Sequence, residues 1–385
     1  MGRLVECIEL DGSTDDDLAY LTMRLVESGE TLSTVCDGLT ADIASTGGPS
    51  SLSTLLCPLY LRSLGYVVPA LAVPGRPAGG VDVLAQIPGY KVDLTKVEAE
   101  KVLQTCGYSH FVASRSFTPL DAVLFAYRQD RRKVNIPELA ITSLLAKKIA
   151  AGVSWIGLDV RVAQHGNFGA SEVDAARNAT RFCRIASLLD RKARCFLTDA
   201  TMPYQPFIGR GEALLALWNT LTGTPVAPLR KHDDTCYAMA SRLASDLFGH
   251  QPARPTIAAM TATLRANVEA QGANMDAAEN YARQVEAGHA SSLVADEDGF
   301  LHVDLGALRS AIVTHQTAAS SSSTPYADPC GIVLKADHGD YVRKGDLLAT
   351  FRCVTEFFKE FGHAAAAAVV VKPLPVANLG FLEVA

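Results

Sequence analysis

Two groups of residues in this 385-residue chain have the types and spacing to do chemistry. The first is Ser45-Thr46-Gly47-Gly48, with Pro49, Ser50, Ser51, Ser53 and Thr54 behind it. Glycines let a backbone approach a ligand closely, and the hydroxyls around them can donate to it. A mostly apolar helix is expected from Leu52 to Leu64. Its free N–H groups and the positive end of its dipole would face the loop, which suits a phosphate or another anion. The stretch is neither GxxxxGK(S/T) nor GxGxxG. Taken alone, it reads equally as a serine-rich helix start with tight-turn glycines. The second group is Ser143 and Lys147, four apart on a helix expected from Pro137 to Ala151, with Arg128 on its approach. Arginine and lysine beside a hydroxyl can donate to the carbonyl oxygens of a planar base. Taken alone, Lys147-Lys148 reads as a solvated helix end.

The elements that position these groups alternate between strands and helices. Short apolar strands are expected at Tyr66 to Val73, Phe111 to Ala113, Trp155 to Val162 and Cys195 to Asp199. Helices are expected after a cap at Ser13 or Thr14, and at 97–107, 171–189, 212–221, 237–247, 255–272 and 275–287. That order implies parallel β/α units. After Gly288 the pattern changes to short strands at 291–296, 299–304, 332–335, 339–342 and 347–351, with an exposed, flexible Ala318 to Pro325 loop among them.

Composition excludes several classes. Apolar residues make up 48% and charged residues 20%, enough to bury an ordinary core. A net charge of -6 argues against a nucleic-acid binder that neutralises phosphates. The apolar run Ala364 to Val371 is far short of the roughly 20 residues a membrane span needs. Met1-Gly-Arg-Leu-Val-Glu6 has no apolar core of a signal peptide. Nine cysteines without a CxxC pair read as reduced thiols of a cytoplasmic protein, and no spacing points to a metal. His110 and His232 show no partner pattern, and His165 reads as a surface residue.

The order of motifs resembles the thymidine phosphorylase and pyrimidine-nucleoside phosphorylase family, which shares its fold with anthranilate phosphoribosyltransferase. The resemblance runs through Leu21-Thr-Met-Arg-Leu-Val-Glu-Ser-Gly-Glu-Thr-Leu and Ser45-Thr-Gly-Gly, then Gly79-Gly and Ile87-Pro-Gly. Its strongest part is Ser143-Leu-Leu-Ala-Lys-Lys-Ile-Ala-Ala-Gly followed by Leu158-Asp-Val-Arg-Val. Leu197-Thr-Asp, Met202-Pro-Tyr-Gln-Pro-Phe-Ile-Gly-Arg and Asp328-Pro-Cys-Gly-Ile-Val-Leu continue it. Gly339-Asp-Tyr-Val-Arg-Lys-Gly-Asp-Leu-Leu-Ala-Thr resembles the family's C-terminal β lobe.

The resemblance implies an α/β fold with a mixed, mostly parallel sheet, a small discontinuous all-α lobe and a β-rich C-terminal lobe. The α lobe would combine residues 1–35 and 118–150. The glycine-loop domain would combine 36–117 and 151–287, and the C-terminal lobe would span 288–385. By the same resemblance Arg128, Ser143 and Lys147 grip the base, with Phe125 where the family has tyrosine. Ser45, Thr46, Gly47, Gly48 and Thr54 hold phosphate or sugar. No catalytic residue and no metal ligand is implied, and no cofactor, with inorganic phosphate as co-substrate. The implied activity cleaves or forms the N-glycosidic bond of a pyrimidine nucleoside or a related base–sugar compound, in a cytoplasmic homodimer without nucleic-acid or membrane partners.

The chain also departs from the family pattern. Ile43-Ala44 stands where the family has Lys-His, so a phosphate-binding cation is gone from that place. Pro49-Ser50-Ser51 replaces Val-Gly-Asp, and Pro49 has no N–H to offer. Ala163-Gln-His-Gly-Asn-Phe replaces Gly-Ser-Gly-Ala-Phe-Met, and Arg76 lies in a shortened loop. A second reading follows: a degenerate paralogue that binds a nucleoside or base without turnover. A phosphoribosyltransferase would want acidic magnesium ligands where Ser50 and Ser51 stand.

Overall fold

The computed structural model describes residues 2–10, 12–32, 39–113, 116–131, 133, 135–163, 166, 168–375 and 382–383. The chain opens with α1 (Gly2–Leu10) and α2 (Asp15–Val26). Of the two expected caps for α2, Thr14 is used. Its hydroxyl accepts from the Asp17 N–H at 3.1 Å, and the Asp17 carboxylate accepts from the Thr14 N–H at 2.9 Å. This reciprocal box satisfies two helix-end donors. There follow β1 (Ala41–Ser45), α3 (Ser53–Ser63), β2 (Val68–Ala72), α4 (Gly80–Leu84), α5 (Lys96–Cys106) and β3 (Tyr108–Val112). Next come α6 (Pro119–Asp130), α7 (Pro137–Ala150), β4 (Trp155–Val162), α8 (Glu172–Leu188) and β5 (Lys192–Asp199).

β1, β4 and β5 are parallel neighbours, with Ser45 opposite Asp159. β2 and β3 are also parallel, and a Thr40–Val67 bridge joins them to the β1 edge. The resulting sheet is nearly all parallel and covered by helices on its faces, so its strands read as continuous apolar runs. Leu18, Leu25, Leu124, Leu139 and Leu145 share one buried cluster with Leu158 and Phe182. That cluster ties α2, α6, α7 and α8 to β4.

β6 (Phe207–Ile208) leads into α9 (Arg210–Leu221), α10 (Ala227–Phe248), α11 (Ile257–Ala270) and α12 (Met275–Ala287). α10 begins ten residues before the expected Tyr237. The apolar period is hidden there because its buried face carries His232 and Asp233. Those two are satisfied by the Leu52 N–H at 2.9 Å and the Tyr60 hydroxyl at 2.7 Å.

The C-terminal region is antiparallel. It comprises β7 (Ser291–Val294), β8 (Gly299–Val303), α13 (Leu305–Ala319), β9 (Cys330–Leu334), β10 (Tyr341–Val342), β11 (Leu347–Cys353), α14 (Phe358–Ala368), β12 (Val369–Lys372) and β13 (Leu382–Glu383). β6-β9-β11-β7 and β10-β8-β12 form two sheets, and β13 pairs with β5. No expected element covers α1, α6, α13 or α14. The expected Ala318 to Pro325 loop begins inside α13, while 321–325 are exposed.

A buried charge network fastens this region to α9. Arg352 donates to both Glu212 oxygens at 2.6 and 3.0 Å and to Asp328 at 2.6 Å. A Cβ on Gly331 would lie 1.8 Å from the Glu212 carboxylate, so only glycine fits there. The eight described cysteines are free thiols, and Cys36 lies outside the described residues. Among the described residues no helix is long and apolar enough to cross a membrane, and no group of three or more His, Cys, Asp or Glu could hold a metal ion.

Candidate active site

One cavity of about 280 Å³ opens between the glycine loop, α6, α7 and α13. All nine residues singled out in the sequence line it: Ser45, Thr46, Gly47, Gly48 and Thr54 at the loop, and Phe125, Arg128, Ser143 and Lys147 on the helices.

At the helix end, Lys147 is 4% exposed and not a solvated helix end. Its Nζ donates to Asp121 Oδ2 at 2.5 Å and to Ser143 Oγ at 2.6 Å. An ammonium has three donors, so one remains. Ser143 accepts from Lys147 and keeps its own O–H to give. Burial lowers the Lys147 pKa from its ordinary value, with Asp121 opposing the shift. Neighbouring Lys148, also buried, pairs with Asp42. Arg128 is not on an approach loop but on α6, at 2% exposure. It donates to the carbonyls of Lys133 and Leu139, each at 3.2 Å. Burial draws its pKa down to about 10. Phe125 lies under the Arg76 guanidinium, 5.0 Å from ring centre to Cζ.

At the loop end, parallel pairing of β1 with β4 sets the geometry. Gly47 N–H donates to Ser45 Oγ at 3.1 Å, and Arg161 N–H donates to Thr46 Oγ1 at 2.9 Å. Both hydroxyls therefore accept from backbone and keep their O–H free for an anion. Gly47 and Gly48 have φ of +102° and +140°, conformations that favour glycine. Ile43 and Ala44 are buried β1 residues, so the departure from Lys-His leaves an apolar wall there.

Arg161 is the residue that sequence reasoning missed. It stands on β4, is 2% exposed, and lines the cavity. Asp159 Oδ2 accepts from its Nε at 3.1 Å and its Nη2 at 2.5 Å, and Ser53 Oγ accepts from Nη2 at 3.0 Å. Its Nη1 is buried without a hydrogen-bond partner among the described residues. A Cβ on Gly48 would lie 2.8 Å from that atom, so the glycine lets the loop approach the guanidinium. Burial opposes the charge, but Asp159 and Tyr204 outweigh it and hold the Arg161 pKa above its ordinary value. The signal available in sequence was Leu158-Asp-Val-Arg, where Asp159 and Arg161 share one face of a strand.

The two histidines without a partner pattern both have partners. His110, in the cavity wall, takes a 2.9 Å hydrogen bond between its Nδ1 and the Tyr108 hydroxyl. Burial and the charge of Lys148 lower its pKa to about 3, so the ring is neutral at pH 7. His232 holds the start of α3 through the Leu52 N–H and stacks on Tyr204, which in turn lies 4.8 Å from Arg161 Cζ. His165 lies outside the described residues.

The cavity thus has one end of glycines, hydroxyls and the Arg161 guanidinium and another of paired helical cations. No family model matches the chain. Among curated proteins, the pyrimidine-nucleoside phosphorylase of Bacillus subtilis (strain 168) is 30% identical over 369 residues, 90% of this chain and 82% of the relative. That of Geobacillus stearothermophilus is 27% identical over 365 residues, 91% of this chain and 83% of its own. Among solved structures, anthranilate phosphoribosyltransferase from Saccharomyces cerevisiae in complex with PRPP and Mg is 11% identical, with a TM-score of 0.43 over 71% of this chain and 81% of that one. With that identity to the Bacillus subtilis enzyme along nearly its whole length, the chain belongs to the pyrimidine-nucleoside phosphorylase family of pentosyltransferases.

Proposed function

We propose that the chain is a nucleoside phosphorylase that moves a pentosyl group between a pyrimidine base and inorganic phosphate. One observation carries the reading: the hydroxyl-and-glycine loop with the Arg161 guanidinium, and the Arg128, Ser143 and Lys147 group, line the same cavity. The named activity of the relatives supports it.

Phosphate would rest on Ser45, Thr46, Gly47, Gly48 and Thr54, with Arg161 Nη1 as its charged donor. The base would receive hydrogen bonds from Arg128, Ser143 and Lys147, with Phe125 beside it. A phosphate oxygen attacks the anomeric carbon, the C–N bond breaks, and its electron pair leaves with the base. The transition state gathers positive charge on the sugar and negative charge on the base. Lys147, already desolvated, stabilises the latter where water cannot screen it. Holding both reactants in one cavity removes most of the entropic cost of their meeting.

The reading of a binding protein without turnover was motivated by the missing Lys-His pair. Arg161 supplies a cation at the same end and removes that motive. The proposal includes the lobe division at 1–35 with 118–150, 36–117 with 151–287, and 288–385. It also includes a cytoplasmic homodimer, which light scattering on the eluting protein tests. The central experiment incubates thymidine, uridine, deoxyuridine and cytidine with the protein, with and without phosphate, and separates the products by chromatography. Free base appearing only with phosphate supports the reading. Base released equally without phosphate, or none under any condition, overturns it.

A further inference from the structure

Among the described residues six cationic side chains line the cavity: Arg76, Arg128, Lys147, Lys148, Arg161 and Arg309. Asp121, Asp42 and Asp159 pair with Lys147, Lys148 and Arg161. Arg128 donates to main-chain carbonyls. Arg76 and Arg309 differ. Among the described residues the Arg309 side chain has neither ion pair nor hydrogen bond, and the Arg76 guanidinium faces the Phe125 ring and makes no ion pair.

The setting of this pair is built. The Asp82 carboxylate accepts from the Gly75 and Arg76 N–H groups at 2.8 and 3.0 Å. Arg210 holds Asp82 at 3.0 Å and donates to the Arg76 carbonyl at 3.2 Å. Gln316, buried on α13, donates to the Pro77 carbonyl at 3.2 Å. Arg309 lies seven residues before Gln316, on the same face of that helix. The helix that pins the loop therefore also delivers the second guanidinium. Burial and the charge of Arg309, against the opposing charge of Asp82, hold the Arg76 pKa below its ordinary value, and burial lowers that of Arg309. Two half-buried guanidiniums at one cavity repel each other unless an anion lies between them.

We propose that Arg76 and Arg309 form a second oxyanion subsite, separate from the glycine loop, and that the substrate of this cavity is a nucleoside carrying its own negative group. The word nucleoside rests on the function proposed above; the subsite does not. A phosphate ester on the sugar and a carboxylate on the base share the required chemistry.

Calorimetric titration of the full chain with uridine, uridine 5′-monophosphate and orotidine separates these sources, beside Arg309→Ala, Arg309→Lys and Arg76→Met. At least one charged compound is expected to bind about tenfold or more tightly than uridine, the usual scale of a charge-assisted contact. Arg309→Ala should abolish that advantage and leave uridine binding within about twofold, while Arg309→Lys keeps most of it. Thermal unfolding checks that each variant is folded. Uridine binding as tightly as both charged compounds overturns the proposal, as does an advantage that survives in Arg309→Ala and Arg76→Met, or no binding of any of the three. Phosphorolysis of uridine without charge preference would leave the phosphorylase reading standing and remove the subsite. Charge-selective binding without phosphorolysis would do the reverse.

Discussion

The two ends of the cavity are built on different principles. At the helix end the cations meet their counter-charge before any ligand arrives: Lys147 has Asp121 and Ser143, and Lys148 has Asp42. At the loop end the strand pairing leaves donors in reserve: the Ser45 and Thr46 hydroxyls accept from the main chain, and among the described residues Arg161 keeps one nitrogen unpartnered. The first end is preorganised by side-chain charge, the second by main-chain geometry together with the buried Asp159–Arg161 pair. The difference teaches that Ile43-Ala44, where the resemblance implies Lys-His, leaves a cation at the loop end all the same, because Arg161 on β4 lines the same place. A paired buried cation cannot be moved without stranding its partner.

The sharpest way to break this contrast is Lys147→Met. Leaving Asp121 uncompensated in the interior should cost about 3–5 kcal/mol of stability, read by denaturant unfolding, and abolish turnover. Adding Asp121→Asn should restore much of the stability and none of the activity. A double variant that recovers activity would show that Lys147 serves only the fold.

Acid comes next. His110 is neutral in the folded protein, with a pKa lowered to about 3 from the ordinary 6.5. The unfolded chain therefore binds the extra proton between those values. His110 stability is present above about pH 6.5 and is lost as pH falls, at up to about 1.4 kcal/mol per unit. Unfolding curves from pH 7 to pH 4 should show this slope in the wild type and a flatter one in His110→Gln. An unchanged slope would remove the assignment.

Arg161→Lys keeps a charge for Asp159 but withdraws the second fork of the guanidinium. The KM for phosphate should rise about 10- to 100-fold, with the KM for nucleoside little changed. Equal effects on both would show that Arg161 acts only by shaping the cavity. The smallest effect belongs to Phe125→Tyr, which places beside Arg76 the residue that the resemblance implies there. It should change the nucleoside KM by less than about threefold, since a hydroxyl with water access adds little net free energy. A larger change would place Phe125 in direct contact with the base.

Much of this arrangement was legible. Apolar runs such as Trp155 to Val162 became parallel strands, and helices at 137–151 and 171–189 stand within a residue of expectation. Thr14 and Ser171 act as caps because their hydroxyls reach the N–H three residues on. The late start read for α10 and the missing α13 share one cause: their buried faces carry polar residues whose partners lie far away in sequence. His232 on α10 answers Leu52, 180 residues earlier, and Gln316 on α13 answers Pro77, 239 residues earlier. Arg128 lies on its own helix for a similar reason, since the apolar face of α6 is short, with Leu124 as its buried apolar residue.

The sequence by itself determined the strand and helix order, the glycine loop and the one-face spacing of Ser143 and Lys147, because those depend on periods of two and 3.6 residues within single segments. Only the tertiary structure decided that Lys147 is buried and paired, that Arg161 stands behind Gly48 with a free nitrogen, and that Arg309 faces the same cavity as Arg76. Those facts join residues from separate segments, and a charge acquires its partner, its burial and its remaining donors only when the segments meet.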